Sequence, residues 1–161
     1  MEEIRKQWVK AYDFVLLISE KGFTDGASVC TIQLADLIIL MIDMSDYGLK
    51  KSIEFARQVN IPGIREDGRP AMILPVPSRV HRSELNRVLE FKSMMIRNIF
   101  SQYLPPSIDA DDYFNNVYIS EFSRYSYVHE IPVIYEPPLD RNTISHEYRI
   151  LSKYIVDIQH T

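Results

Sequence analysis

Two acidic side chains, Asp43 and Asp46, follow an apolar run that ends at Ile42. Carboxylate oxygens are suitable ligands for Mg²⁺ or Ca²⁺, so the pair could hold a divalent cation. The same three-residue spacing is common where an aspartate caps the first turn of a helix. Because no third ligand is apparent, the sequence favours capping of the helix that starts near Leu49 over a metal site.

A second candidate is the segment Pro77, Ser78 and Arg79, which follows another apolar run. The planar guanidinium of Arg79 could bind a phosphate or a partner's carboxylate. The alternative is structural, with Pro75 and Pro77 stiffening a loop and Ser78 capping a helix. The sequence leaves both interpretations open.

Other chemistries find little support in the sequence. The four histidines lack metal-ligand spacing, and the pair His146–Glu147 lacks the second histidine of HExxH. Four basic residues between 82 and 97 recur every five residues, which turns each about 140° from the last on a helix, so they do not form one DNA-binding face. The aromatic residues between 113 and 127 indicate packing against the sheet or a partner. A nucleic-acid partner is therefore not expected.

Composition bounds the class of protein. The chain has 161 residues and a net charge of −4, which predicts one domain without a broad nucleic-acid-binding face. A single cysteine, Cys30, excludes an internal disulfide and suits a reducing compartment. No apolar run is long enough for a transmembrane segment and the N-terminus does not resemble a signal peptide, so we expect a cytoplasmic protein.

The elements that must position these residues alternate between strands and helices. Continuous apolar runs predict buried parallel strands at Phe14–Ile18, Leu37–Ile42 and Ala71–Val76, the last ending near its prolines. Helical spacing predicts helices at Glu2–Ala11, Asp25–Leu34, Leu49–Val59, Arg82–Tyr103 and Thr143–Ile158. Residues 60–69 predict a loop, and residues 118–119 and 131–135 short extended segments. The pattern predicts a single α/β domain over 1–161, a three-layer sandwich with a mostly parallel sheet.

Four segments carry a resemblance to a known family. They are YDFVLLISEKGFTD at 12–25, VCTIQLADLIILMI at 29–42, LPVPSRV at 74–80 and EIPVIYEPP at 130–138. Together they resemble the C-terminal half of ParA/MinD-like P-loop ATPases of the KGGVG type. The resemblance implies a partial P-loop NTPase domain of the SIMIBI type, with ATP and Mg²⁺ as the family's cofactors.

The resemblance also assigns roles to single residues. Ser19 and Gly22 match the family pattern after the Walker B strand, and Gly22 falls where a switch-loop glycine faces the γ-phosphate; a simple turn glycine is the alternative. Pro77, Ser78 and Arg79 match the loop near the nucleotide base. Two departures stand out: no GxxxxGK[ST] or KGGxGK sequence occurs, and the aspartate that helps position Mg²⁺ is replaced by Ile18.

These departures predict a truncated, non-catalytic relative that acts through protein association, either with itself or with a P-loop-bearing protein. The alternative is a subunit of a split ATPase whose phosphate-binding half is on another chain. A purely structural or regulatory binding module is a third interpretation. Since the family hydrolyses ATP and this chain lacks both Walker A and the Walker B aspartate, the sequence leaves enzymatic activity open.

Overall fold

The computed structural model describes residues 2–19, 29–62, 64–65, 68–81, 88–127, 130–137 and 140–159. Several predicted features lie outside these ranges. They are Gly22, the helix cap predicted at Thr24 or Asp25, and the first parts of the helices predicted at Asp25–Leu34 and Arg82–Tyr103.

Three strands and seven α-helices follow one another in the described residues. The strands are β1 (Leu37–Asp43), β2 (Met72–Val80) and β3 (Ile119–Ser120). The helices are α1 (Glu2–Ala11), α2 (Asp46–Val59), α3 (Val88–Phe100), α4 (Ala110–Asn116), α5 (Ser123–Tyr127), α6 (Pro132–Tyr135) and α7 (Ile144–Gln159). A π-helix covers Val29–Leu34, and a 3₁₀ turn covers Ser101–Tyr103. None of these helices is long and apolar enough to cross a membrane.

The strands form one parallel sheet in the order β1-β2-β3. β1 pairs with β2 along its whole length, from Leu37 opposite Met72 to Asp43 opposite Ser78. An α/β fold with a parallel sheet is therefore confirmed. The predictions of α1, β1 and α7 are confirmed too, to within one residue at each end.

Hydrophobic side chains pack on both faces of the sheet, as the apolar character of β1 and β2 requires. On one face, Ile38, Ile42 and Ile73 join buried residues of α2 and α3. On the other face, Leu74 and Val76 join buried residues of α4 and α7. Successive residues of a strand point to opposite faces, so neighbouring positions 73 and 74 contribute to different cores.

β2 continues through both prolines to Val80, so the prediction that it ends near them was wrong. The carbonyl of Pro75 accepts a hydrogen bond of 3.1 Å from Tyr113 Oη, which directs the polar backbone of this residue away from β1. Pro77, two residues on, has the same orientation. β3 pairs with β2 only from Ser78 onward, so neither missing N–H removes a bond of the sheet.

The predicted strand Phe14–Ile18 is also wrong. Residues 14–19 have no regular secondary structure, and all five apolar side chains are exposed by more than a third. A strand needs a neighbour that accepts and donates its backbone hydrogen bonds, and the apolar run alone does not supply one.

Two short helices were not predicted from the sequence. Asp109 Oδ1 accepts the Asp112 N–H at 2.8 Å and caps α4 within the acidic stretch 107–116. The segment predicted as extended at 131–135 contains α6, whose first residue is Pro132. Proline suits this position because its fixed φ is helical and the first helical N–H needs no partner.

Candidate functional site at the carboxyl edge of the sheet

The parallel register places the ends of all three strands at one edge of the sheet. Asp43 ends β1, Ser78 and Arg79 lie at the end of β2, and Glu121 follows β3. Open α/β sheets bind their ligands at this edge, which makes it the candidate functional site.

A serine rather than an aspartate caps the helix after β1. Ser45 Oγ accepts the Gly48 N–H at 3.0 Å, and Asp43 Oδ1 accepts the Ser45 N–H at 2.8 Å. Asp46 is the first residue of α2, not its cap. The helix is thus capped by a side chain, as predicted, but the capping residue is Ser45 and not Asp43 or Asp46. No group of three metal-ligating side chains occurs among the described residues, so the alternative of a metal at Asp43 and Asp46 has no support from a third ligand.

Ser78 fastens the ends of β1 and β2 together. Its Oγ donates a hydrogen bond of 3.0 Å to the carbonyl of Ile42, and the preceding Pro77 is buried. Ser78 is in a strand, so its predicted alternative role as a helix cap is wrong. The Ser78 hydroxyl donates its proton to Ile42, but its oxygen can still accept a hydrogen bond.

Arg79 adopts a left-handed backbone conformation with φ of 56°, an uncommon value for a residue other than glycine. It lies where the pairing of β2 with β3 shifts register between Ser78 and Val80, as in a β-bulge. A bulge redirects a side chain, and Arg79 is exposed at the candidate edge. Within the described part of the chain, its guanidinium makes no ion pair.

An imidazole and a carboxylate lie close together just beyond Arg79 at this edge. The imidazole Nε2 of His81 lies 3.0 Å from Glu121 Oε2, and the Glu121 N–H donates to the carbonyl of Val80 at 2.9 Å. Glu121 therefore adds a carboxylate to the same edge of the sheet as Arg79.

The end of β3 is held by a buried carboxylate that the sequence did not indicate. Glu147 Oε2 accepts the Ser120 N–H at 2.7 Å, and Glu147 Oε1 accepts the Ser120 hydroxyl at 2.6 Å. Glu147 is 5% exposed and Ser120 is 3% exposed, so the contact is shielded from solvent and has a structural role. A pairing across 27 residues leaves no local signal in the sequence.

A second carboxylate connects α5 with the start of α7. Glu136 accepts hydrogen bonds from Tyr125 Oη at 2.7 Å and from the Ser145 N–H at 2.8 Å. Burial alone would raise the pKa of Glu136, but the hydrogen bonds from Ser145 and Tyr125 outweigh it and lower the pKa. The hydrogen bond to Glu136 in turn raises the pKa of the Tyr125 phenol.

Ser19 lies apart from the other predicted site residues. It lines a cleft of about 400 Å³ between residues 12–17 and the beginning of β1, with Met72 also in the wall. Arg79 is seven residues further along β2 than Met72, which corresponds to about 20 Å in a strand. Pro77, Ser78 and Arg79 therefore lie together, Ser19 lines a different part of the molecule, and Gly22 lies outside the described residues.

Of the aromatic residues between 113 and 127, Tyr113 packs in the protein interior, as predicted. Tyr113 is fully buried and makes edge-to-face contacts with Phe114 and Tyr154, with ring centroids 5.3 and 5.0 Å apart. Tyr127, at the other end of the stretch, is 87% exposed.

No protein-family model matches this chain, and neither a curated protein nor a solved structure shows significant similarity to it.

Proposed function

We propose that this chain is a degenerate ParA/MinD-like domain that does not itself hydrolyse ATP and acts by associating with other protein chains. The single observation that carries the proposal is the exposed, apolar side chain of Ile18. In the resemblance, Ile18 aligns with the family's Mg²⁺-positioning aspartate. Its side chain is 97% exposed and apolar, in a segment without strand structure. A hydrocarbon side chain provides no oxygen for a metal-bound water.

The sheet provides the α/β architecture that the proposal requires. β1, α2 and β2 form a parallel unit connected by a helix, and the residues at its carboxyl edge include Arg79. The absence of a phosphate-loop motif from the sequence supports the lack of catalysis, because backbone N–H groups and a lysine normally hold the β- and γ-phosphates.

A second candidate function is a split ATPase, in which another chain supplies the phosphate-binding half. One observation favours it: the outer edge of β1 has no neighbouring strand within the described ranges. An unpaired strand edge is a template for a strand from another protein.

Calorimetric titration with ATP and Mg²⁺ distinguishes the two functions from an intact enzyme. The isolated chain should show no micromolar ATP binding and no turnover above a heat-inactivated control. Ile18→Asp should not restore activity, since the phosphate cradle would still be missing. Saturable ATP binding with turnover by the isolated chain would contradict the proposal. ATP binding that appears only after addition of a P-loop-bearing chain would favour the split enzyme.

A further inference from the structure

The cleft of about 400 Å³ that Ser19 lines lies where β1 and β2 begin, away from the carboxyl edge. Its walls come from α1, the segment 12–17, the first residues of β1 and the last turns of α7. Small-molecule sites in proteins have volumes of about 300–1,000 Å³, and most are lined by hydrophobic and aromatic side chains. The cleft is therefore large enough to hold a small molecule.

Three aromatic side chains contribute to the lining. They are Trp8, Tyr12 and Phe14, and Trp8 is the one tryptophan of the chain. Trp8 and Tyr12 are four residues apart on the same face of α1, where the Tyr12 N–H donates to the Trp8 carbonyl at 2.9 Å. Tyr12 and Phe14 are 63 and 46% exposed, so their rings are accessible to a ligand. Because aromatic rings pack favourably against one another in stacked or edge-to-face arrangements, this lining suits an aromatic ligand.

Aliphatic side chains supply most of the remaining lining. Leu16 and Leu17 contribute from the segment after α1, Ile39 from β1, and Ile155 and Ile158 from α7. Leu16 is 79% exposed and Leu17 is 37% exposed, so apolar surface at this cleft is open to solvent. An apolar ligand would remove that surface from water, which is favourable.

The charged groups at the cleft disfavour an anion. Of the residues that line it, Arg5, Asp13 and Asp36 are charged, and the Arg5 guanidinium forms an ion pair with the Asp36 carboxylate. The cation in the lining is thus neutralised by a neighbour, and two carboxylates against one guanidinium leave an excess of negative charge. An anionic ligand would meet repulsion there, whereas a neutral one would not.

From these observations we infer that the cleft binds a neutral, aromatic small molecule, whose ring packs against Trp8, Tyr12 and Phe14. The inference does not depend on the proposed function, since it concerns a ligand that is neither ATP nor a partner chain.

Fluorescence titration with two probes of similar shape tests the site. N-phenyl-naphthylamine is neutral, and anilinonaphthalene sulfonate carries the same ring system with an added negative charge. The neutral probe should bind the native chain saturably and change the fluorescence of Trp8. The anionic probe should bind at least about tenfold more weakly.

A pair of variants in the same segment tests the location. Leu16→Glu should weaken the neutral probe at least about tenfold, because it places a charge in the apolar lining. Leu16 is largely exposed, so the variant should still fold. Ile18→Glu is the matched control, since Ile18 is 97% exposed and does not line the cleft, and it should leave the affinity unchanged.

Asp36→Asn tests the argument from charge. The substitution removes the carboxylate that neutralises Arg5, so the anionic probe should bind at least about fivefold more tightly than it binds the native chain. The affinity of the neutral probe should change by less than about twofold.

Four results would overturn the inference. They are no saturable binding of the neutral probe, equal affinities of the native chain for the two probes, a neutral-probe affinity that Leu16→Glu leaves unchanged, and an anionic-probe affinity that Asp36→Asn leaves unchanged. None of these outcomes decides the proposed lack of catalysis, which the ATP titration measures separately.

Discussion

Gly48 lies in the first turn of α2 and touches the last residue of β1. A Cβ atom added at Gly48 would be 2.6 Å from the Asp43 carbonyl oxygen and 2.7 Å from Asp43 Cβ. Gly48→Ala should therefore lower the free energy of unfolding by about 1–3 kcal/mol, whereas alanine normally improves a helix by about 1 kcal/mol over glycine. Urea titration measures the change, and Lys50→Ala on the exposed side of α2 is the control. A more stable alanine variant would show that β1 and α2 can separate at little cost.

Arg79 combines a strained backbone with a guanidinium that makes no ion pair to the described residues at the candidate edge. A left-handed conformation costs a residue with a Cβ about 1–2 kcal/mol, and glycine avoids most of that cost. Arg79→Gly should therefore leave the free energy of unfolding unchanged or raise it by up to about 1 kcal/mol, whereas Arg79→Val should lower it. Stability losses of similar size in both variants would contradict the strain.

The same side chain provides a test of ligand binding. If an anion such as inorganic phosphate binds at the carboxyl edge, Arg79→Ala should weaken it about tenfold, or about 1.4 kcal/mol. Lys50→Ala, on a neighbouring helix, should leave that affinity unchanged. An affinity that does not change in Arg79→Ala would place the anion elsewhere.

At the scale of elements, α7 is fastened to β3 by one buried carboxylate. Glu147→Ala leaves the buried Ser120 N–H and hydroxyl without their acceptor, so we expect a loss of about 2–3 kcal/mol in the free energy of unfolding. Ser120→Ala removes only the hydroxyl bond and should cost about 1 kcal/mol. Equal effects of the two substitutions, measured by urea titration, would show that the hydroxyl and not the backbone N–H dominates the contact.

The contact between α4 and α7 should weaken at high pH. Burial, and then the hydrogen bond to Asp112 at 2.5 Å, raise the pKa of Tyr154 to about 12. A tyrosine in an unfolded chain ionises near pH 10. Between these values the unfolded chain has lost a proton that the folded chain retains, so the free energy of unfolding falls as the pH rises. Tyr154→Phe should reduce this slope between about pH 10 and 12, and Asp112→Asn should shift its upper limit to lower pH.

At the scale of the whole molecule, stability and assembly should be linked. If the folded chain dimerises and the unfolded chain does not, the melting temperature must rise with protein concentration. Calorimetry over a hundredfold range of concentration should show this rise for the native chain. A melting temperature independent of concentration in the native chain would contradict the link.

Local patterns in the sequence predicted the elements whose partners are close along the chain. The spacing of Ile4, Trp8 and Ala11 predicted α1, and the apolar run at 37–42 predicted β1, which finds its neighbour β2 after one helix. Helix α4, within the acidic stretch 107–116, was not predicted from the sequence. Its cap, Asp109, is a local signal that composition obscured.

The sequence by itself determined an α/β class with a parallel sheet, because runs that are apolar on both faces must be covered by helices from both sides. Tertiary structure alone decided which runs become strands. Leu37–Asp43 became one because β2 pairs with it, whereas residues 14–18, equally apolar, lack a backbone neighbour in the described structure. It also decided that β2 passes through its prolines, that Ser45 caps α2, and that Glu147 holds Ser120. Each of these features depends on hydrogen-bond partners whose positions are set only when the chain has folded. The spacing of apolar residues in the sequence does not identify those partners.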